Sequence, residues 1–161
     1  EVGADATRFF LVSRGADTPI DFDLSLAKRE SADNPVFYVQ YAHARICSIW
    51  RMGEEAKLVP PNLQQVDLTP LSAPDERRLM LRLAQFPDEV AGAAKSREPH
   101  RIARYCQDLA TDFHQFYTNC RVLNAEDIAM THGRLALLAA TRIVLRNALS
   151  GILGVSTPER M

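Results

Sequence analysis

Aromatic and basic side chains recur at helical spacing between Asn34 and Arg51. Tyr38, Tyr41 and Arg45 are three and four residues apart, so a helix would place all three on one face. Planar side chains of this kind can stack on unpaired nucleic-acid bases, and each stack contributes about 1–3 kcal/mol without a large positive charge. The same spacing is also typical of tyrosines at the edge of a helical core, beside an arginine that reaches solvent. Spacing alone favours this second, structural interpretation.

A similar group occurs further along the chain. Tyr117 and Arg121 are four residues apart and share their predicted helix face with His114. The two interpretations, a base-stacking surface and the edge of a core, apply here as well. Periodicity alone again favours the core.

The sequence contains no compact catalytic or metal-binding signature. It lacks a glycine-rich phosphate loop, a GxSxG turn and an HExxH pair. The three cysteines lie in apolar helical patterns without CxxC spacing, which favours buried free thiols over disulfides or zinc ligands. The four histidines are scattered, and each is interpreted as a surface or core-edge residue: His43, His100, His114 and His132. We therefore predict no catalytic residue, metal site or cofactor within these residues.

Composition limits the kinds of partner that the chain can bind. Its 161 residues, 47% hydrophobic and 24% charged, are typical of one globular domain. The formal net charge of −1 argues against nucleic-acid binding by bulk electrostatics, because counterion release requires many basic contacts. Any such binding must be local. No uninterrupted apolar run approaches the roughly 20 residues of a membrane span, and no signal segment opens the sequence, so we predict a cytoplasmic protein without a membrane partner.

The elements that would position these side chains are all predicted to be helical. Asn34 can cap a helix that begins at Pro35, and Asp23 can cap a short helix through about Ser31. Residues 52–73 contain three prolines and no helical period, so we predict a long loop there. The remaining predictions are a helix ending near Ser13, one from Pro74 that Pro87 kinks or splits, one from Pro99, and one from Glu126 to a cap at Gly154. Asp75 and Glu76 suit the dipole at the start of the helix from Pro74, and the helix from Pro99 carries an apolar ladder from Ile102 to Cys120. In the last helix Arg142 takes an apolar position of the ladder, which implies a partner carboxylate or an edge. The fold class is an all-α helical bundle with short helices in front.

Several separate segments resemble, in the family's order, the C-terminal region of bacterial-type arginyl-tRNA synthetases. They are GADATRFFLVSR, DFDLSLAK, NPVFYVQYAHAR, REPHRIARYCQDLATDFHQFYTNCRVL and LALLAATRIVLRNALSGILGVSTPERM. The resemblance covers essentially the whole chain. It implies a junction from the catalytic domain over residues 1–31, followed by an α-helical anticodon-binding domain of the DALR type over residues 32–161.

The resemblance also implies a function. Enzymes of this class I family use ATP, with magnesium, to attach arginine to its tRNA. Their HIGH-like and KMSKS-like nucleotide-binding motifs would precede Glu1, so we expect these residues alone to be inactive and to carry no cofactor. The implied partners are the anticodon stem and loop of arginine tRNA and the protein's own catalytic domain, in a cytoplasmic and monomeric full-length enzyme.

Site residues are carried over by matching positions. In the YVQYAHAR segment, Tyr38, Tyr41 and Arg45 match residues that approach the anticodon loop in this family. Tyr117 matches an aromatic position facing the same loop, Met161 matches a C-terminus beside the anticodon, and Arg121 occupies a position where related enzymes can carry an aromatic residue. The lower-ranked neighbours are Gln40, His43, His114 and Arg134.

Two alternatives to this interpretation stay open at the level of sequence. One is a helical interaction scaffold whose apolar stripes bind only protein partners; it predicts no affinity for an arginine anticodon stem-loop. The other is the DALR domain of a different class I synthetase, such as the cysteinyl enzyme, which YVQYAHAR and PERM disfavour.

Overall fold

The computed structural model describes residues 2–19 and 22–161, and none of these residues lies in a β-strand. Residues 1, 20 and 21 of the predicted junction lie outside the described part. The helices are α1 (Ala4–Val12), α2 (Leu24–Ala27), α3 (Pro35–Glu55), α4 (Pro74–Ala84), α5 (Phe86–Ser96), α6 (His100–Asn119) and α7 (Ile128–Arg146), which continues as a π-helical segment (Asn147–Leu153). A short 3₁₀ turn (Leu63–Gln65) interrupts the loop before α4. The predicted all-α fold is confirmed.

Helix starts follow the predicted caps. The Asn34 side chain accepts a hydrogen bond from the backbone N–H of Val36, and Pro35 is the first helical residue of α3. The amide of Asn34 also donates to the carbonyl oxygens of Ala27 and Arg29, at 3.2 and 2.8 Å. These bonds turn the chain back toward α3, which explains why α2 ends at Ala27 and not near Ser31 as predicted.

Helix α3 continues beyond its predicted end. Residues 52–55 are helical, so the loop begins at Ala56. Gly53 is buried, and a Cβ built on it would lie 3.3 Å from Val59 and 3.7 Å from Leu135. The last turn is therefore packed tightly against the loop and α7, and this tertiary contact accompanies the extension of the helix beyond Arg51.

Helix α6 forms the centre of the bundle. It packs against α3, α4, α5, α7 and the π-helical segment. Its predicted apolar ladder is buried throughout, with every side chain at most 5% exposed: Ile102, Cys106, Leu109, Phe113, Phe116 and Cys120. All three cysteines are free and buried, and burial raises the pKa of the Cys106 thiol to about 12. Cys106 is therefore a neutral core residue at physiological pH.

A buried ion pair joins α4 to α7. Glu76 was predicted to support the start of α4 through the helix dipole, but its side chain is completely buried. One carboxylate oxygen accepts from the backbone N–H of Ala73 at 2.8 Å, and the other accepts from Nε of Arg134 at 2.7 Å. The sequence indicated the dipole interaction but neither the hydrogen bond to Ala73 nor the ion pair, since Arg134 is 58 residues away.

The C-terminal helix is apolar enough to raise the question of a membrane. By length and composition, Ile128–Leu153 meets the criterion for a span: it has 26 residues, and an 18-residue window within it has a mean hydropathy of 1.4. Its apolar residues do not form an uninterrupted run, because Arg134, Arg142 and Arg146 lie within the helix. Core helices of soluble proteins meet the same criterion, and the central leucines of this one are buried in the bundle: Leu135, Leu138, Leu145 and Leu149.

Arg142 occupies a position where the apolar ladder of α7 predicted either a partner carboxylate or an edge. Its side chain is half-buried, and its guanidinium lies over the Trp50 ring, 5.5 Å from the centroid. Trp50 in turn donates from Nε1 to a carboxylate oxygen of Glu54 at 2.9 Å. The arginine is thus accommodated by a cation–π contact with α3.

The residue that follows α5, Arg97, has an unfavourable backbone conformation. Arg97 follows α5 in the left-handed region, with φ 59° and ψ 40°, where glycine is the usual residue. A side chain in this conformation costs about 1–2 kcal/mol, and the greater freedom of a glycine in the unfolded chain partly offsets what a glycine would gain there.

We expect Arg97→Gly to raise the free energy of unfolding by about 0.5–1 kcal/mol, measured by urea denaturation. Arg104→Gly, an exposed mid-helix control in α6, should lower it by about 1 kcal/mol. Equal losses in both variants would contradict this account.

Candidate nucleic-acid interface

Two tyrosines of α3 meet a histidine of α6 at the surface of the bundle. The ring of Tyr38 lies 4.8 Å from that of His114, and the ring of Tyr41 lies 5.9 Å from it at an interplanar angle of 24°. Phe37 stacks on Tyr41 with a centroid distance of 6.3 Å and an angle of 10°. Together with Ala32 these rings line an open cavity of about 280 Å³. The helical spacing of α3 therefore places its tyrosines beside a third ring from another helix.

A second pair lies beside this cavity. Arg45 donates from its guanidinium to the Tyr117 hydroxyl oxygen at 2.8 Å, and its central carbon lies 4.9 Å from the Tyr117 ring centroid. Tyr117 also stacks on the buried Phe113, at 6.1 Å and 23°. The guanidinium of Arg45 and the ring of Tyr117 are thus held together by a hydrogen bond and a cation–π contact. We call the five side chains of these two groups the ring surface: Tyr38, Tyr41, Arg45, His114 and Tyr117.

His114 lies at the centre of the ring surface as a neutral ring. Burial lowers its pKa; a hydrogen bond with the Tyr38 backbone opposes this shift, and the nearby positive charge of Arg45 adds to it. Its Nε2 atom is buried and has no hydrogen-bond partner among the described residues. In the sequence His114 was predicted only as a neighbour of the site, although it shares a helix face with Tyr117. Phe37 was not predicted as a site residue; the signal that could have indicated it is its position four residues before Tyr41.

The arrangement can present aromatic faces from a rigid support. Tyr41 is 40% exposed, whereas Tyr38 and Tyr117 are half-buried against the core. The Tyr38 hydroxyl lies 3.3 Å from the Thr111 hydroxyl, which fixes the tyrosine to α6. Stacking on such rings requires no net charge, so this surface is compatible with the overall charge of −1.

Other predicted site residues lie elsewhere. Arg121 is exposed beyond α6, where its Nε donates to the Leu123 carbonyl oxygen, and Arg134 is engaged by Glu76. Gln40 and His43 face the C-terminal residues: the Gln40 amide donates to the Ser156 carbonyl oxygen, and Nδ1 of His43 lies 3.0 Å from the Pro158 carbonyl oxygen. Met161 is 54% exposed at the end of that segment. The structure thus brings five of the predicted residues together in one surface, and the other five lie outside it.

Basic residues collect at the corner between α5 and α6. Arg101 and Arg104 line a cavity of about 280 Å³ there, together with His100. Arg101 pairs with Glu89 at 3.1 Å, and Asp108 lines the same cavity. These carboxylates offset the positive charge, so the corner is not a strong phosphate site. Among the described residues, no group of three or more His, Cys, Asp or Glu side chains is arranged to hold a metal ion.

One buried histidine, His43, and one partly buried histidine, His114, make the pH dependence of stability predictable. Burial lowers the pKa of both His43 and His114, although the Pro158 carbonyl partly opposes this at His43. Unfolded histidines titrate near pH 6.5, so the unfolded chain binds protons first as the pH falls. We expect the free energy of unfolding to decrease between about pH 7.5 and pH 5.5, measured by urea titration at each pH. The double variant His43→Gln/His114→Gln should show a flatter profile, and an unchanged profile would contradict this assignment.

Comparison with known proteins places the chain in a family. The family model described as the DALR anticodon binding domain matches residues 39–161. The chain belongs to the DALR anticodon-binding domain family. The ring surface lies almost entirely inside the matched residues, with Tyr38 one residue before them. The resemblance found in the sequence is confirmed.

Individual relatives of this DALR domain agree with the family match. Over its whole length the chain is 58% identical to arginine–tRNA ligase from Heliobacterium modesticaldum and 55% identical to that from Symbiobacterium thermophilum. It covers 29% and 28% of those proteins, so it spans less than a third of the curated relatives it matches.

Solved structures show the same fold. The arginyl-tRNA synthetase of Thermus thermophilus aligns with 98% of the DALR chain at a TM-score of 0.77 and 34% identity, over 26% of its own length. That of Plasmodium falciparum aligns with 98% of the chain at a TM-score of 0.81 and 27% identity, also over 26% of its length.

Proposed function

We propose that this DALR domain is the anticodon-binding part of an arginine–tRNA ligase and that it binds the anticodon stem and loop of arginine tRNA through the ring surface. The observation that carries the proposal is the clustering of Tyr38, Tyr41 and His114, with Arg45 and Tyr117 beside them, in a domain whose relatives are arginine–tRNA ligases. Unpaired anticodon bases expose faces that such rings can stack on.

The role of the domain in this proposal is positional. Stacking and hydrogen bonding hold the anticodon end, which orients the acceptor end toward an active site in a catalytic domain of the same enzyme. ATP and magnesium act there. Nothing in the described residues takes part in arginine activation in this account, and the chain alone is inactive. We further propose that the full enzyme is cytoplasmic and monomeric.

Several finer assignments remain part of the proposal. Residues 1–31 form the junction from the catalytic domain, and residues 32–161 form the anticodon-binding domain. Arg121 and Met161 contribute to the tRNA interface at positions outside the ring surface. Gln40, His43 and Arg134 support the interface without contacting a base, since each of them makes a polar contact within the protein.

A binding titration tests the proposal. The 161-residue chain is titrated with a hairpin carrying an arginine anticodon and with an unrelated hairpin, each at several salt concentrations. We expect tighter binding to the arginine hairpin and a shallow salt dependence, because few phosphates are contacted. Equal, weak binding to both hairpins would contradict the proposal and favour a helical interaction scaffold.

A further inference from the structure

The last residues of the chain form an irregular segment that lies along α3. We call residues 154–161 the C-terminal strap. Ser156 contacts Gln40, Pro158 contacts His43, and the carbonyl oxygen of Glu159 accepts from the guanidinium of Arg51 at 3.3 Å. The strap therefore follows α3 from its first turns toward its C-terminal end.

The same strap is held by α1. The carboxylate of Asp5 accepts hydrogen bonds from the backbone N–H of Ser156, at 3.1 Å, and from its hydroxyl group. The guanidinium of Arg8 donates to the carbonyl oxygen of Gly154. Burial alone would raise the pKa of Asp5, but these hydrogen bonds and the charge of Arg8 lower it, so the carboxylate stays ionised as an acceptor.

Gln40 is the residue at which α1, α3 and the strap meet. Its amide nitrogen lies 2.9 Å from a carboxylate oxygen of Asp5 and 3.0 and 3.2 Å from the carbonyl and hydroxyl oxygens of Ser156. Its side chain is only 8% exposed. The acceptors of the Gln40 amide nitrogen thus lie in two segments that are distant in sequence. Without them the buried amide would have no hydrogen-bond partner, which costs free energy of folding.

We propose that Gln40 is a positioning residue: by holding α1 and the C-terminal strap against α3, it sets the arrangement of the ring surface. This inference rests on the proposed function for its biological meaning. Gln40 lies two residues after Tyr38 and directly before Tyr41. If α3 shifts when the strap is lost, both tyrosines therefore move with it. Their distances to His114 depend on how α3 lies on α6. The Gln40 contacts therefore act on the ring surface through α3.

The arrangement also implies a reciprocal effect. If strap docking favours the ring geometry that binds RNA, then bound RNA must favour strap docking by the same factor. If Gln40 contributed only to overall stability, RNA binding and strap docking would not affect each other at a temperature where the chain is fully folded.

The test uses Gln40→Ala in the 161-residue chain, with Gln64→Ala as the control because Gln64 is exposed in the loop. Strap docking is measured as the rate at which carboxypeptidase removes Met161 and the residues before it. Ring geometry is measured as the NMR shifts of the His114 ring. We expect Gln40→Ala to release the strap at least about tenfold faster and to shift the His114 signals, and Gln64→Ala to change neither.

A second variant keeps the inference testable if Gln40→Ala does not fold. Ser156→Ala removes the hydroxyl contacts while leaving Gln40 in place, and it should produce the same changes at smaller amplitude. Unchanged His114 signals in a variant that releases the strap would overturn the inference.

Hairpin titrations then complete the test. Gln40→Ala should bind the arginine hairpin more weakly, and bound hairpin should slow removal of the strap from the wild-type chain. A wild-type strap that saturating hairpin does not protect would overturn the inference. If the wild-type chain does not bind the hairpin, the proposed function fails, but strap release and the His114 signals still decide the role of Gln40.

Discussion

Tyr41→Ala is expected to weaken binding of an arginine anticodon hairpin by between about fivefold and about 150-fold, because one base stacked on an aromatic ring contributes about 1–3 kcal/mol. Tyr41 is the most exposed tyrosine of the ring surface, and its ring is flanked by Phe37 and His114. Truncation removes a stacking plane at the surface and leaves the buried ladder of α6 intact. The measurement is a hairpin titration of the variant at fixed salt.

Tyr41→Phe is the matched control. It keeps the ring and removes only the hydroxyl group, so its hairpin affinity should stay within about threefold of the wild type if stacking dominates. Free energies of unfolding for both variants show whether the fold is retained. Wild-type affinity in Tyr41→Ala would exclude Tyr41 from the interface.

Arg134→Met is expected to have the largest effect on stability. Glu76 is completely buried, and its partner Arg134 is 15% exposed, so the variant leaves a buried carboxylate with only the Ala73 N–H as a partner. Removing one member of a buried ion pair typically costs about 3–5 kcal/mol. Urea denaturation measures this loss.

The double variant Glu76→Gln/Arg134→Met separates the ion pair from general packing. It leaves no unpaired charge in the interior, and the glutamine can still accept from Ala73, so it should be more stable than Arg134→Met alone. A double variant that loses as much stability as both single variants combined would show that the two side chains act independently.

Local signals in the sequence predicted much of the fold. The cap at Asn34, the prolines that open α3 and α4, and the ladder of α6 each depend on residues within one or two turns. The split at Pro87 is of the same kind, since α4 ends at Ala84 and α5 begins at Phe86. The ends of α2 and α3 were predicted wrongly because tertiary contacts, at Asn34 and Gly53, determine them.

The candidate site was predictable only in part. Spacing placed Tyr38, Tyr41 and Arg45 on one face, but it favoured a structural role, and the family resemblance reversed that preference. Periodicity could not show that His114 of α6 packs between the tyrosines of α3. The C-terminal strap was beyond prediction from local pattern, since Gln40 and Ser156 are 116 residues apart and the strap has no regular structure.

The central claim is that anticodon bases stack on the ring surface of this domain. The most direct measurement is an NMR titration of the 161-residue chain with the arginine anticodon hairpin, following the aromatic ring signals. The account predicts that the largest shifts occur at Tyr41, Tyr38, His114 and Tyr117, with smaller ones at Tyr105, which is buried at the α4–α6 contact. Shifts confined to the basic corner of α5 and α6, with an unperturbed ring surface, would contradict it.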